Sequence, residues 1–198
     1  MPGGIAALTR RTQPNAVTRR TLSKAAAGVV LLPDAGPLIT LAYADALDLL
    51  LKPGWTVQLV DMVLHEVTRH LTPTSQLISR WVSRRRVPVL STRVFAHHGR
   101  AAVGASAAPR KSNLGELAIQ EVMSGFDLTS PPTQGVFMFE DHKIARASFL
   151  LPESCQKVST RAFLLFLEQR ELIPSATDVQ GRALRAGRAF SQLRFPPD

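Results

Sequence analysis

The sequence contains one cysteine, Cys155, among its 198 residues. A single chain can therefore form neither a disulfide framework nor a zinc site built from several cysteines. It also lacks an apolar run of the ~18 residues that a membrane-spanning helix needs, so we expect no membrane partner. No Gly-x-Ser-x-Gly motif is present, which removes the main sequence signal of an α/β-hydrolase. These absences make a reducing, cytoplasmic location the expectation.

Acidic residues are the minority charge, with 15 Asp and Glu against 24 Lys and Arg, and the net charge is +9. The excess lies at the two ends of the chain. Residues 1–28 hold five basic residues and no acidic one, and residues 176–198 hold four basic residues and two acidic ones. Basic ends suit a polyanionic partner such as nucleic acid, although solubilising tails have the same composition.

The length and an apolar content of 45% suit one domain with extensions. Residues 1–27 have no sustained period and are predicted to be a basic, weakly ordered extension. Residues 28–174 alternate strand and helix patterns. That alternation predicts a three-layer α/β/α sandwich around a mostly parallel sheet of about four to five strands. Residues 92–112 have no period and are interpreted as an irregular loop. Residues 175–198 are a basic tail with one predicted helix around Leu184.

Five acidic residues, in four separate segments, stand at the ends of predicted strands or the starts of predicted helices. Asp34 follows the apolar run at 29–33, and Glu140-Asp141 follows the apolar strand at 135–139. Glu66 and Glu116 lie near the starts of two predicted helices. The carboxyl ends of parallel strands and the starts of the following helices share one edge of the sheet, so we expect these acids to converge there. The alternative for each acid is a helix cap or a solvated charge.

Converging carboxylates repel one another and raise one another's pKa. Mg²⁺ or Mn²⁺ would remove that penalty, because these hard cations prefer oxygen ligands. Such an ion lowers the pKa of a bound water and neutralises charge on a phosphate. The acids therefore predict a divalent-metal site that acts on phosphate esters.

The order and context of these acids resemble the PIN-domain nuclease family. The resemblance covers about residues 28–174, and the segments that carry it are 32–39, 63–67, 114–118, 137–146 and 158–161. It implies that Asp34, Glu116 and Asp141 bind the metal, with Glu66 as a ligand directly or through water. Glu140 is a further, weaker candidate ligand.

The same resemblance implies that a hydroxyl of Thr160 or Ser159 supports the site. The predicted RNA contacts are five basic residues: Arg84, Arg85, Arg86, Lys143 and Arg146. Family members are metal-dependent ribonucleases, and many small bacterial ones are toxins restrained by an antitoxin. The resemblance therefore implies hydrolysis of RNA phosphodiester bonds, with a small antitoxin and a second copy of the chain as candidate protein partners. The chain departs from the family in its basic ends and in residues 92–112.

Two other functions stay open. One is a non-catalytic nucleic-acid-binding module with the same fold, although a pure binder gains nothing from clustered negative charge. The other is an exported protein, since residues 18–32 resemble a twin-arginine signal that Pro33 and Asp34 interrupt. His65 and His70 are five residues apart and do not share a helix face, which excludes a zincin motif. His97-His98 is interpreted as solvated loop.

Overall fold

The structure, a computed structural model, describes residues 28–104, 113–140 and 151–189. The strands in these ranges are β1 (Val29–Pro33), β2 (Thr56–Val57), β3 (Leu59–Val60), β4 (Val89–Leu90), β5 (Gln134–Phe139) and β6 (Cys155–Ser159). The α-helices are α1 (Ala35–Tyr43), α2 (Asp61–Thr68), α3 (Pro73–Arg85), α4 (Arg93–Gly104), α5 (Leu114–Met123), α6 (Thr160–Gln169) and α7 (Ala176–Arg185). Short 3₁₀ helices cover Leu47–Leu51 and Phe126–Leu128.

Four strands form one parallel sheet in the order β2-β1-β5-β6. Strands β3 and β4 form a second, two-stranded parallel pair. Helices flank the central sheet, so the predicted α/β/α sandwich with a parallel sheet is confirmed. The strands that the sequence marks most strongly, β1 and β5, are the two central ones.

Both central strands are continuous apolar runs because they are covered on both faces. Leu31 and Leu32 of β1 and Phe137 and Met138 of β5 are fully buried. The burial of each such side chain contributes about 1.5–3 kcal/mol to the stability of the folded state. The two strands are held in register over five residue pairs, from Val29 opposite Gln134 to Pro33 opposite Met138. The carboxyl ends of β1 and β5 are therefore fixed side by side.

Residues 92–112 were predicted to be irregular, and this prediction is wrong for most of the segment. Helix α4 occupies Arg93–Gly104, and residues 105–112 lie outside the described ranges. Its first N–H groups find partners from another helix, since Glu121 of α5 accepts from the N–H of Arg93 at 3.0 Å and of Val94 at 3.1 Å. Thr92 adds a local cap by accepting from the N–H of Phe95 at 3.1 Å.

Helix α7 occupies the first part of the predicted C-terminal tail. Its buried residues Ala176, Val179 and Ala183 belong to the same apolar core as the sheet, and the helix contacts α1 and α6. Residues 1–27 and 190–198 lie outside the described ranges. Within those ranges, no helix is both long enough and apolar enough to span a bilayer.

Candidate functional site

Asp34 is held at the carboxyl end of β1 by backbone hydrogen bonds on both sides. Its N–H donates to the carbonyl of Met138 in β5 at 2.9 Å, and its carbonyl accepts from the N–H of Leu38 in α1 at 3.4 Å. It occupies the N-cap position of α1, but its side chain makes no capping hydrogen bond. The carboxyl group is therefore placed by the sheet and is not used to cap the helix.

Glu66 and Asp34 meet at the first turn of α5, around Gly115. The N–H of Gly115 donates to Oε1 of Glu66 at 3.2 Å. A Cβ at this position would lie 2.8 Å from Oε2 of Glu66 and 3.2 Å from Oδ1 of Asp34. Both carboxyl groups thus approach the same point on the α5 backbone, and only glycine leaves room for them. Glu116, the next residue, lies in that first helical turn.

The pKa values of Asp34 and Glu66 agree with the close approach of these carboxyl groups. Burial, together with the negative charges of Glu66, Glu116 and Glu140, raises the pKa of Asp34 from an ordinary 3.8 to about 7, against the opposing effect of the Ala35 N–H. Burial also raises the pKa of Glu66, while the Gly115 N–H and the positive charges of Arg69 and His98 act in the opposite direction. The structure therefore brings together Asp34, Glu66 and Glu116, with Glu140 close by.

Glu140, the weaker candidate ligand, has protein partners for both of its oxygens. Thr40 donates its hydroxyl to the two carboxylate oxygens at 2.7 and 2.9 Å. Arg188 donates Nη2 to Oε2 at 2.7 Å. Glu140 is nearly fully buried, and this pairing compensates its charge. Its carboxylate is therefore engaged by the protein and differs in this from Asp34.

The two hydroxyl residues at the start of α6 contact backbone groups. Ser159 is the N-cap of α6 and accepts from the N–H of Ala162 at 3.1 Å. Thr160 is buried and donates its hydroxyl to the carbonyl of Phe139 at 3.3 Å. Thr160 thereby supports the end of β5, one residue before Glu140, whereas Ser159 stabilises the helix.

Three of the predicted RNA contacts, Arg84, Arg85 and Arg86, are not brought together with the acids. Arg84 and Arg85 lie in the last turn of α3, and Arg86 is its C-cap, shortly before β4 begins. This is the edge where the parallel strands start, opposite the edge that carries Asp34. Arg85 there forms an ion pair with Asp48, donating Nε at 2.9 Å. The three remaining predicted residues, Asp141, Lys143 and Arg146, lie outside the described ranges.

A histidine pair beside the acids was missed by the sequence interpretation. His98 lies in α4 and not in a loop, and its ring centroid is 5.6 Å from that of His65 in α2. Phe95 also packs against His65, with its ring centroid 5.4 Å from that of the imidazole. Burial, and then the positive charges of His98 and Arg69, lower the pKa of His65 below its ordinary 6.5. No local pattern indicates this contact, since α2 and α4 meet only in the folded chain.

The converging donors suit a hard divalent cation by their chemistry. Asp34 and Glu66 offer carboxylate oxygens, the ligands that Mg²⁺ and Mn²⁺ prefer. Within residues 28–104, 113–140 and 151–189, no set of three or more His, Cys, Asp or Glu side chains is arranged to hold a metal ion. That set of residues does not include Asp141, the predicted ligand that follows Glu140. The described residues thus fit part of a metal-binding set.

Comparisons of the chain with protein-family models, curated proteins and solved structures find no match. The function is therefore argued from the residues and geometry of the site.

Proposed function

We propose that this chain is a metal-dependent endoribonuclease of the PIN-domain type, a phosphodiesterase that hydrolyses RNA with Mg²⁺ or Mn²⁺. One observation carries the proposal. A half-buried Asp34 with a pKa of about 7 lies among further carboxyl groups at the carboxyl end of a central parallel strand. In open parallel sheets, ligands bind at this edge.

The contrast between Asp34 and Glu140 supports a ligand-binding role for Asp34. Glu140 is neutralised by Arg188, as expected of a buried charge that serves the fold. Asp34 forms no ion pair with any side chain of the described ranges, and its neighbours are acids. Clustered carboxylates repel one another and cost stability, and a bound divalent cation offsets that cost.

The proposed roles combine the placement of the described residues with the family resemblance of the acidic segments. Asp34, Glu66, Glu116 and Asp141 would hold the ion, which when bound lowers the pKa of a water and neutralises charge on a phosphate. The Gly115 N–H orients Glu66, and the Met138 carbonyl anchors the Asp34 backbone. Thr160 supports the strand end that leads to Asp141. Lys143, Arg146 and the basic ends of the chain would attract the RNA backbone.

The cellular role within this proposal is that of the toxin of a toxin–antitoxin pair in the cytoplasm. A small antitoxin and a second copy of the chain would be its protein partners. This part of the proposal depends on the family resemblance of the acidic segments.

Cleavage of a mixed single-stranded RNA pool tests the activity. We expect wild type to cleave RNA with Mn²⁺ or Mg²⁺ and to lose cleavage in EDTA. Asp34→Asn, Glu116→Gln and Asp141→Asn should each lower the rate by at least about two orders of magnitude, because an amide weakens a hard-cation site. Glu153→Gln is the control, since Glu153 is exposed in the loop before β6, away from the acids.

Two other results of this cleavage experiment would contradict the proposal. Cleavage that continues in EDTA, or in Asp141→Asn at the wild-type rate, would refute the metal mechanism. RNA binding by wild type without cleavage in either metal would instead favour the non-catalytic binding module.

A further inference from the structure

Arg188 lies near the end of the described residues and reaches the carboxyl end of the sheet. We call this region, where Asp34, Glu66 and Glu116 come together with Glu140 close by, the acidic edge. Arg188 follows α7 in a Schellman turn, in which the N–H of Gly187 donates to the carbonyl of Leu184 and the N–H of Arg188 donates to that of Ala183, both at 3.0 Å. Gly187 has a φ of +97°, a conformation that glycine adopts without strain. The turn reverses the chain and directs Arg188 back over α1.

The guanidinium then closes a ring of buried contacts. Nε donates to Oγ1 of Thr40 at 2.9 Å, and Nη2 donates to Oε2 of Glu140 at 2.7 Å. Thr40 completes the ring by donating its hydroxyl to Glu140. Thr40 is 1% exposed, Glu140 is 9% exposed, and the Arg188 side chain is 21% exposed. The two donor atoms engage two different acceptors at fixed separation, which suits the planar fork of arginine better than the single ammonium of lysine.

Glu140 also packs closely against the start of α1. Its Cβ lies 2.9 Å from where a Cβ on Gly36 would be, so the start of α1 packs directly against it. Glu140 also stands between the last residue of β5 and Asp141. Whatever holds Glu140 therefore holds the point from which the chain continues to Asp141.

We propose that Arg188 is a positioning residue of the acidic edge, which binds Glu140 and Thr40 and thereby fixes the carboxyl end of β5. The proposal rests on the proposed function, since it assigns Arg188 and Glu140 to the support of the metal-binding residues. It also assigns Glu140 to the framework of the site, as the partner of Arg188, and not to the metal. The segment after α7 is then a part of the active site.

Four variants of the full chain test this role: Arg188→Gln, Arg188→Lys, Glu140→Gln and the double variant Arg188→Gln/Glu140→Gln. Arg185→Gln is the matched control, because Arg185 lies one turn earlier and forms an exposed ion pair with Asp178. Four quantities are measured for each variant: Tm in EDTA, the Kd for Mn²⁺, and kcat and KM for RNA cleavage.

Arg188→Gln should lower Tm by roughly 5–10 °C, because it leaves a buried carboxylate without its cation. It should also weaken Mn²⁺ binding and lower kcat, each by about tenfold, as losses of supporting residues around metal ligands do. KM for RNA should stay within about twofold, because the guanidinium is engaged by Glu140 and Thr40. Arg188→Lys should fall between wild type and Arg188→Gln, since lysine keeps the charge and loses the fork.

The double variant Arg188→Gln/Glu140→Gln tests whether Arg188 acts through Glu140. The amide that Glu140→Gln introduces needs no counter-charge and can still accept from Thr40, so Tm and the Kd for Mn²⁺ should both return most of the way to wild type. Arg185→Gln should change Tm by no more than a few degrees, and Kd, kcat and KM by no more than about twofold.

Three results for the variants would overturn the proposal. Arg188→Gln with a lower Tm but an unchanged Kd and kcat would make Arg188 purely structural. A raised KM with unchanged kcat would make it an RNA contact. Failure of Glu140→Gln to rescue the Arg188→Gln variant would show that Arg188 acts through another residue. If wild type neither binds Mn²⁺ nor cleaves RNA, the proposed function and the positioning role are both wrong. In that case, rescue of Tm in the double variant shows only that Arg188 and Glu140 stabilise the fold together.

Discussion

The backbone N–H of Gly115 donates to Oε1 of Glu66 at 3.2 Å, and this contact sets how closely α5 approaches the acids. A Cβ at Gly115 would lie 2.8 Å from Oε2 of the same Glu66. The positive end of the α5 dipole thus faces a partly buried carboxyl group, an arrangement that stabilises the charged form. The residue type at 115 is therefore decided by the neighbouring acids and not by helix propensity.

Gly115→Ala should disturb this contact. The added methyl would also lie 3.1 Å from Cγ2 of Val63, so both neighbours must move. We expect a loss of about 1–3 kcal/mol in the free energy of unfolding, typical of overpacking, and a smaller thermal shift on adding Mn²⁺. Thermal unfolding with and without Mn²⁺ measures both.

Gly99→Ala is the matched control for that substitution. Gly99 lies in α4, and a Cβ there would meet no atom within 4 Å. Alanine should therefore stabilise this helix by about 0.5–1 kcal/mol. If Gly115→Ala behaves like Gly99→Ala, the close approach of the acids to α5 is wrong.

The raised pKa of Asp34 predicts a pH dependence of stability in the absence of metal. Between its ordinary pKa of 3.8 and the folded value of about 7, the folded state binds a proton that the unfolded state does not. The contribution of Asp34 to the free energy of unfolding should therefore be largest below pH 4. It should fall as pH rises through 7, by up to about 4 kcal/mol. Glu66, whose pKa is also raised, acts in the same direction.

Asp34→Asn should remove most of this dependence, since an amide does not titrate. In EDTA the variant should be more stable than wild type at pH 8 and differ little from it at pH 4. Denaturant unfolding across this pH range makes the comparison. Parallel curves for the two proteins would show that Asp34 titrates normally.

Metal binding should stabilise the folded chain by mass action. At a Mn²⁺ concentration about 100 times Kd, the gain is about 2.7 kcal/mol, which corresponds to a rise in Tm of roughly 5–10 °C. Asp34→Asn should abolish the rise, and Glu153→Gln should keep it. An equal rise in both variants would place the metal elsewhere.

Helix α4 should depend on Glu121 of the neighbouring helix. Burial acts to raise the pKa of Glu121, but the N–H groups of Arg93 and Val94 and the Arg93 guanidinium lower it below its ordinary 4.5. Its stabilisation is then present above pH 4.5 and lost as pH falls through the lower folded pKa. Glu121→Ala should cost about 0.5–2 kcal/mol, as other cap losses do.

Hydrogen exchange of the α4 amides measures this effect directly. Exchange in α4 should speed up in Glu121→Ala while exchange in β1 changes only with global stability. Unchanged α4 exchange would mean that Thr92 alone caps the helix.

The amino-acid sequence by itself determined the sheet and the position of the acids along it. The apolar runs at 29–33 and 135–139 are typical of buried strands, and Asp34 and Glu140 follow them directly. The pair Gly115-Glu116 marks the start of α5 in the same way. These features could be predicted because periodicity, capping residues and strand ends are local properties of the chain.

Only the tertiary structure decided which acids are neutralised and which are left with other acids. Arg188 pairs with Glu140 across 48 residues of chain, and Glu121 caps α4 from 27 residues away. His65 and His98 likewise meet only when α2 and α4 pack together. Such contacts leave no periodic trace in the sequence, because they depend on how the elements pack and on the burial that packing creates. The same burial raises the pKa of Asp34, whereas an arginine from the end of the chain compensates Glu140.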